Sequence, residues 1–255
     1  MGRVAAPGYT AAVSRGGILR EVLGVYALLA LVTWGVTHVP SSMMREYGHV
    51  VLAASFLYAA LTMARREPAG ARRFGIDLSG MLEAADDEQP GISGLLATLR
   101  TALPDLLREF LVALGFALII FPIFVLGFRL FHGVTQPFTF QPPREPLDFV
   151  LGQLLVVALP EEALFRGYVQ TRLTDAFPRR VKLLGADVSP VALVLQAVLF
   201  ALLHFVVAFD PARLAVFFPG LAFGYLRALR GGIGAAIWFH AMSNLLSELL
   251  TRGYL

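Results

Sequence analysis

Seven stretches of this chain stay apolar for about the 20 residues a helix needs to cross the hydrocarbon of a bilayer, and that repetition leaves few folds open. They are residues 18–39, 47–64, 106–131, 147–168, 190–207, 211–229 and 233–250. Away from water every backbone amide must find its partner inside the chain, so such stretches fold as helices and pack together. Of 255 residues, 57% are hydrophobic and 15% charged, too apolar a balance for a soluble domain of this length. The expected fold is an all-α, polytopic transmembrane bundle of about seven spans.

The formal net charge of +3 comes from arginine, since Lys182 is the only lysine. The arginines cluster between apolar runs and form no continuous stripe, which speaks for membrane topology and against a nucleic-acid partner. Arg15 and Arg20 flank the start of the first run, Arg65, Arg66, Arg72 and Arg73 follow the second, and Arg179, Arg180 and Lys182 follow the fourth. This placement predicts a cytoplasmic N-terminus, with the loop HGVTQPFTFQPPREP and the C-terminus outside. The absence of cysteine excludes a disulfide framework, a thiolate metal site, a cysteine nucleophile and a lipidation acceptor. The first apolar run is long and no A-x-A-like site closes it, so it reads as a retained span and not a cleaved signal. Arginine so dominant over lysine points to a GC-rich bacterial genome, hence to a multi-pass protein of a bacterial inner membrane.

Between the second and third runs lies a polar loop with an acidic patch at Glu83, Asp86, Asp87 and Glu88. After it, Leu95, Leu96, Leu99 and Leu103 share one helical face, as in a helix lying in the membrane interface or packed on the bundle. Two units are expected: 1–105, a two-span extension with a polar cytoplasmic loop, and 106–255, the core.

The core contains two acids where acids are hard to tolerate. Glu161 and Glu162 end the run LDFVLGQLLVVALP, and Arg166 follows in EEALFR. An ionised acid near the middle of a membrane helix costs about 2.5–3.5 kcal/mol on insertion scales, against about 0.3–0.6 returned by each Leu or Val. As a structural device, Arg166 would neutralise Glu162 one turn away on the same face and pin helices together. As a functional one, the acids would do chemistry, which is the default for ionisable groups within a membrane. Pro160, just before them, leaves the Val156 carbonyl without its usual amide and loosens the helix enough for water.

Of five histidines, His38, His49 and His132 fall at span ends or loops, where an imidazole can sit in water or headgroups. His204 and His240 are embedded in apolar runs and must find polar partners inside the bundle. Asn244 shares a face with His240, and Phe200 with His204. Three helices thus offer EExxxR, FxxxH and HxxxN. A carboxylate with one or two imidazoles is the minimum set for activating water at a carbonyl, and Asn244 could donate to a developing oxyanion.

This set, Glu161-Glu162-x-x-x-Arg166, Phe200-x-x-x-His204 and His240-x-x-x-Asn244 in order on separate apolar segments, resembles the CPBP family of intramembrane endopeptidases, which includes CAAX-processing enzymes and bacterial immunity-type relatives. The likeness covers approximately residues 106–250. It implies that Glu161 is the general base, that His204 helps bind the attacking water or a metal, and that His240 with Asn244 binds metal or stabilises the oxyanion. Glu162 and Arg166 would be the supporting ion pair. It implies either one divalent metal, zinc, held by Glu161, His204 and His240, or a metal-free glutamate mechanism.

The chain has no HExxH and no GxGD, the marks of the site-2 and aspartyl intramembrane proteases, and Ser243 stands on the same helix as His240, poorly placed for a serine dyad. A proton-coupled transporter is the main rival, because membrane-buried Glu and His also build proton relays, but no internal repeat is visible. A non-catalytic membrane scaffold is the third reading, with little need of all three motifs. The function expected is hydrolysis of a peptide bond near the C-terminal end of a membrane-associated protein or peptide, with the lipid bilayer as the other partner. One difficulty stands against a shared site. At about 1.5 Å per residue, Glu161 and His240 fall toward the cytoplasm, whereas His204, about 20 Å along its span, falls near the outer face. A separation above about 10 Å would rule out joint action even through one water.

Overall fold

The computed structural model describes residues 14–77 and 92–255. Seven long helices run through the described residues: α1 Arg15–His38, α2 Ser42–Arg65, α3 Ile92–Phe131, α4 at 146–176, α5 Pro190–Ala208, α6 Phe217–Arg230 and α7 Gly234–Tyr254. Serines start three of them. Ser14, Ser41 and Ser189 each accept a hydrogen bond from an amide three residues on, and Pro190 follows Ser189 at the first helical position. A 3₁₀ segment, Pro211–Val216, leads into α6.

α1, α2, the Arg100–Phe131 part of α3, α5 and the stretch Pro211–Arg230 are long and apolar enough to cross a membrane. α7 is not among them, and α4 is divided by π-helical turns into shorter pieces; these two helices carry the acids, His240 and Asn244. Their polar residues are tolerable because neighbours cover them: residues 163–170 of α4 are all buried. The helices around them turn Leu28, Leu31, Leu118 and Leu130 outward, as a bundle in hydrocarbon requires. The result is a helical membrane bundle.

Two expectations change. The interfacial segment and the third span are one helix, α3, which continues through Pro104. The loop after the fourth run is a two-stranded hairpin pairing Val181–Leu183 with Ala186–Val188, turned by Leu184 (φ 44) and Gly185 (φ 89), the positive pair of a type I′ turn. The acidic patch at Glu83, Asp86, Asp87 and Glu88 lies outside the described residues, as do the side chains of Leu95, Leu96 and Leu99.

The small pair Gly220 and Gly224 permits close approach, as the spacing predicts. A Cβ on Gly224 would stand 2.5 Å from Gln196 Nε2 and 2.8 Å from Gln170 Oε1, so α4, α5 and α6 meet there with no room for a methyl group. At the arginine-rich end, Arg172 of α4 binds both carboxylate oxygens of Glu21 on α1 at 2.9 and 3.1 Å and reaches Glu67 at 3.1 Å, while the Tyr168 hydroxyl donates to Glu21 at 3.1 Å. α1 is thereby tied to α4.

Helix ends explain how His204 meets the acids. Ser189 Oγ donates to the Phe177 carbonyl at 2.7 Å, so α5 starts level with the end of α4. From there Glu161 and His204 each lie about 21–22 Å up the bundle. α5 stops at Phe209, whose φ of 49 breaks the helix and whose ring lies 4.9 Å from that of His38 at the end of α1. The sequence count ended the fourth span at Tyr168, whereas α4 continues to Ala176, which brings Glu161 to the height of His204.

Candidate active site

α4 is not a regular helix around Pro160. Proline removes the amide that would bond the Val156 carbonyl, and the chain answers with two π-helical stretches, Gln153–Ala158 and Ala163–Val169, on either side of Leu159–Glu162. The amides of Leu159 and Gln170 reach back five residues, to Leu154 and Phe165. Such widened turns recur at functional sites because they re-aim side chains without ending the helix. Here they send Glu161 and Glu162 to different surroundings.

Glu162 points into the protein and is fully buried, as is Arg166. Its Oε1 accepts from Arg166 Nη1 at 2.8 Å and from His240 Nδ1 at 2.8 Å. Arg166 also donates to the Gly220 carbonyl at 3.3 Å, and its guanidinium lies 4.2 Å from the Phe200 ring centre and 4.8 Å from that of Phe223. Aromatic faces and a carboxylate compensate this desolvated cation in part, while Arg166 Nε and Glu162 Oε2 stay without a hydrogen-bond partner.

Glu161 is the reverse case. Its side chain is 17% exposed, and its Oε2 has no hydrogen-bond partner. That oxygen stands 3.9 Å from His204 Nε2 and 3.8 Å from His240 Nε2. The other nitrogen of each ring is committed: His204 Nδ1 is 2.9 Å from the Phe200 carbonyl, and His240 Nδ1 is held by Glu162. A carbonyl or carboxylate can only accept, so both Nδ1 atoms carry protons. In the neutral rings both Nε2 lone pairs therefore face Glu161. Phe223 stacks on His240 at 4.6 Å and 14°, fixing that ring in its plane.

Glu161, Glu162, Arg166, His204 and His240 thus come together, with Phe200 beneath them and Pro160 shaping α4. Asn244 joins less directly. Its Nδ2 donates to Gln153 Oε1 at 2.7 Å, and it lines a cavity of about 390 Å³ together with His204 and His240. Ile120, Phe121, Phe124 and Phe218 make most of that cavity apolar. Ser243 lines it too, but its hydroxyl is returned to the Phe239 carbonyl at 2.7 Å. Gln153 and Phe223 were missed from sequence. His38 and His132 sit exposed at helix ends, as expected. His49 differs: although exposed, it lines a second cavity together with Glu161 and His204.

Zinc holds nitrogen and oxygen ligands at about 2.0–2.2 Å, so tetrahedral neighbours stand about 3.4 Å apart. The donors have the right chemistry for it, but the 3.8 and 3.9 Å separations are wider. Among the described residues no three His, Asp or Glu side chains are placed to hold a metal ion. As they stand the side chains do not fit zinc. They fit water, whose hydrogen bonds of about 2.7–3.0 Å bridge such gaps.

A model of the family described as type II CAAX prenyl endopeptidase Rce1-like matches residues 143–246. That segment belongs to the Rce1-like family. It takes in α4, α5, α6 and the part of α7 that bears His240 and Asn244, and so the whole cluster just described. No curated protein and no solved structure matches the chain. The Rce1-like family is one of CAAX proteases, and the activity it points to is that of an intramembrane endopeptidase acting on a membrane-associated substrate.

Proposed function

We propose that this chain hydrolyses a peptide bond near the C-terminal end of a membrane-associated protein or peptide, with Glu161 as the general base. The observation that carries the reading is the Glu161 Oε2 atom, unpartnered and faced by two imidazole nitrogens. A buried acceptor without a partner is costly to maintain, and a water held there satisfies it. Glu161 takes one proton from that water while His204 Nε2 accepts a hydrogen bond from the other. The water oxygen attacks the peptide carbonyl carbon, and the carbonyl π pair moves onto its oxygen. As the tetrahedral intermediate collapses, the C–N bond breaks and Glu161 returns its proton to the leaving amine.

The oxyanion needs donors. His240 Nδ1 already donates to Glu162, so Nε2 can donate only from the imidazolium, and carboxylates near both ring nitrogens supply the counter-charge. The Asn244 amide, oriented by Gln153, is the second donor. The apolar cavity of about 390 Å³ beside His204 and His240 suits a lipid chain or apolar side chains next to the scissile bond. A prenylated CAAX-type peptide is the first substrate to try.

The test is to reconstitute the purified protein in lipid vesicles with a farnesylated CAAX-type peptide and its unprenylated counterpart, and to weigh the products. Release of a short C-terminal peptide, faster from the farnesylated form, supports the reading. Intact peptides under conditions where the protein remains folded count against the prenyl substrate, and no cleavage of any membrane-anchored C-terminal tail counts against the endopeptidase.

A further inference from the structure

The cavity that holds His49 is a second chamber, of about 110 Å³, and shares only His204 with the larger one. Its walls come from α1, α2, α4 and α5, so half of it is built by helices outside the Rce1-like segment. Most of the wall is apolar, with Leu52, Ala53, Phe56 and Val157 among its residues. Against that background its polar atoms stand out. Thr33 is 1% exposed and its Oγ1 is buried without a partner. A helical threonine in an apolar setting ordinarily returns its hydroxyl to a carbonyl one turn back, as Thr37 does to Thr33 at 2.8 Å. Thr33 does not. Glu161 Oε2, also unpartnered, belongs to the same chamber, with His204 beside it and the exposed His49 on α2.

A chamber of this volume holds about three to four waters at about 30 Å³ each, and a buried water needs two to four polar partners. Thr33 Oγ1, Glu161 Oε2 and the two imidazoles provide them. Each turnover consumes one water, and a bound substrate fills the larger cavity on the other side of His204. We infer that the smaller chamber is the water supply of the site: Thr33 holds a water in line with Glu161, His49 stands at the mouth, and α1 and α2 complete the active site. This rests on Glu161 being the base that activates water.

Because the chain has no cysteine, a single introduced thiol reports its own surroundings. In membranes, Thr33→Cys is compared with Leu31→Cys, whose side chain is 67% exposed and faces outward from the bundle. Thiolates form and react in water, not in hydrocarbon. With 2-aminoethyl methanethiosulfonate as the probe, Thr33→Cys reacts at least about tenfold faster than Leu31→Cys despite being the more buried, since a wet site keeps its thiolate fraction. Adding Ala53→Leu, which puts three carbons into the chamber, slows that reaction to the Leu31→Cys level. A Thr33→Cys no faster than Leu31→Cys means a dry chamber and overturns the inference. On turnover, Thr33→Val lowers kcat by about three- to tenfold, the worth of one neutral hydrogen bond, with KM unchanged, and Thr33→Ser restores it. If Glu161→Gln abolishes cleavage while Thr33→Val leaves kcat at the wild-type value, the water-supply role fails and the endopeptidase reading stands.

Discussion

Replacing Glu162 by Gln leaves Arg166 as a cation in the middle of the bundle with no anion in contact. Both side chains are fully buried, and the 2.8 Å bond to Glu162 Oε1 is the carboxylate contact Arg166 has there. What remains is the Gly220 carbonyl at 3.3 Å and two aromatic faces, present already and unable to strengthen. Removing one partner of a buried pair costs about 3–5 kcal/mol. Both bonds fall on Oε1 of Glu162, and an amide oxygen with its two lone pairs can still accept both; what is lost is the charge, which places Glu162→Gln near about 3 kcal/mol, the lower end of that range. For a chain of this size each kcal/mol moves the melting temperature by about 2–4 °C, so a fall of about 6–12 °C is expected. Thermal unfolding in detergent, followed by tryptophan fluorescence, measures it. The double variant Glu162→Gln with Arg166→Met removes both charges and recovers most of the loss, because an apolar replacement of a buried pair is often neutral. It does not recover cleavage, since His240 Nδ1 then bonds a neutral amide and has lost the carboxylate that supplies counter-charge to its imidazolium. A single variant melting within about 1 °C of wild type would refute the reasoning, because on this scale that is well under 1 kcal/mol.

Gly224→Ala, whose Cβ would fall within 2.8 Å of three side-chain atoms, is expected to lose about 1–3 kcal/mol in the same unfolding assay. Gly115→Ala on α3, with nothing within 4 Å, should be neutral or gain up to about 1 kcal/mol. Asn244→Ala is expected to lower kcat by about 10²–10³, the worth of an oxyanion donor, while Gln153→Ala, which only orients Asn244, loses less and leaves KM unchanged. Equal losses would make Gln153 more than a positioning residue. Chelation should leave cleavage unaltered and elemental analysis should find far less than one metal per chain; loss of activity on chelation, restored by zinc, would show that the side chains close around a metal.

Much of the cluster was legible because membrane helices make polar residues conspicuous. The group Glu161, Glu162 and Arg166 stood out in one apolar run and His204 and His240 in two others, and all needed polar partners inside the bundle. Glu162 and Glu161 differ in surroundings, and adjacency in sequence concealed that one faces inward to Arg166 and the other a cavity. The height of Glu161 was misjudged because the apolar run ends at Tyr168, while α4 continues through more polar residues to Ala176. His49 was assigned to the interface because it lies near a span end, a position that says nothing about which face of the helix it occupies. Gln153 was lost among uncharged residues, and only its 2.7 Å contact with Asn244 brings it to notice. The continuity of α3 across Pro104 was missed because the amphipathic segment and the apolar run were read as separate elements.

The account stands most directly on the Glu161 carboxylate. Glu161→Gln keeps the shape of the side chain and, since Oε2 has no hydrogen-bond partner to lose, should leave the melting temperature within about 1 °C of wild type. Rates of peptide cleavage in vesicles, measured for wild type and Glu161→Gln on the same substrate, are predicted to differ by about 10² or more, the scale of a lost general base. A Glu161→Gln protein that is folded and cleaves within a few-fold of wild type would contradict the assignment of Glu161 as the base that activates water.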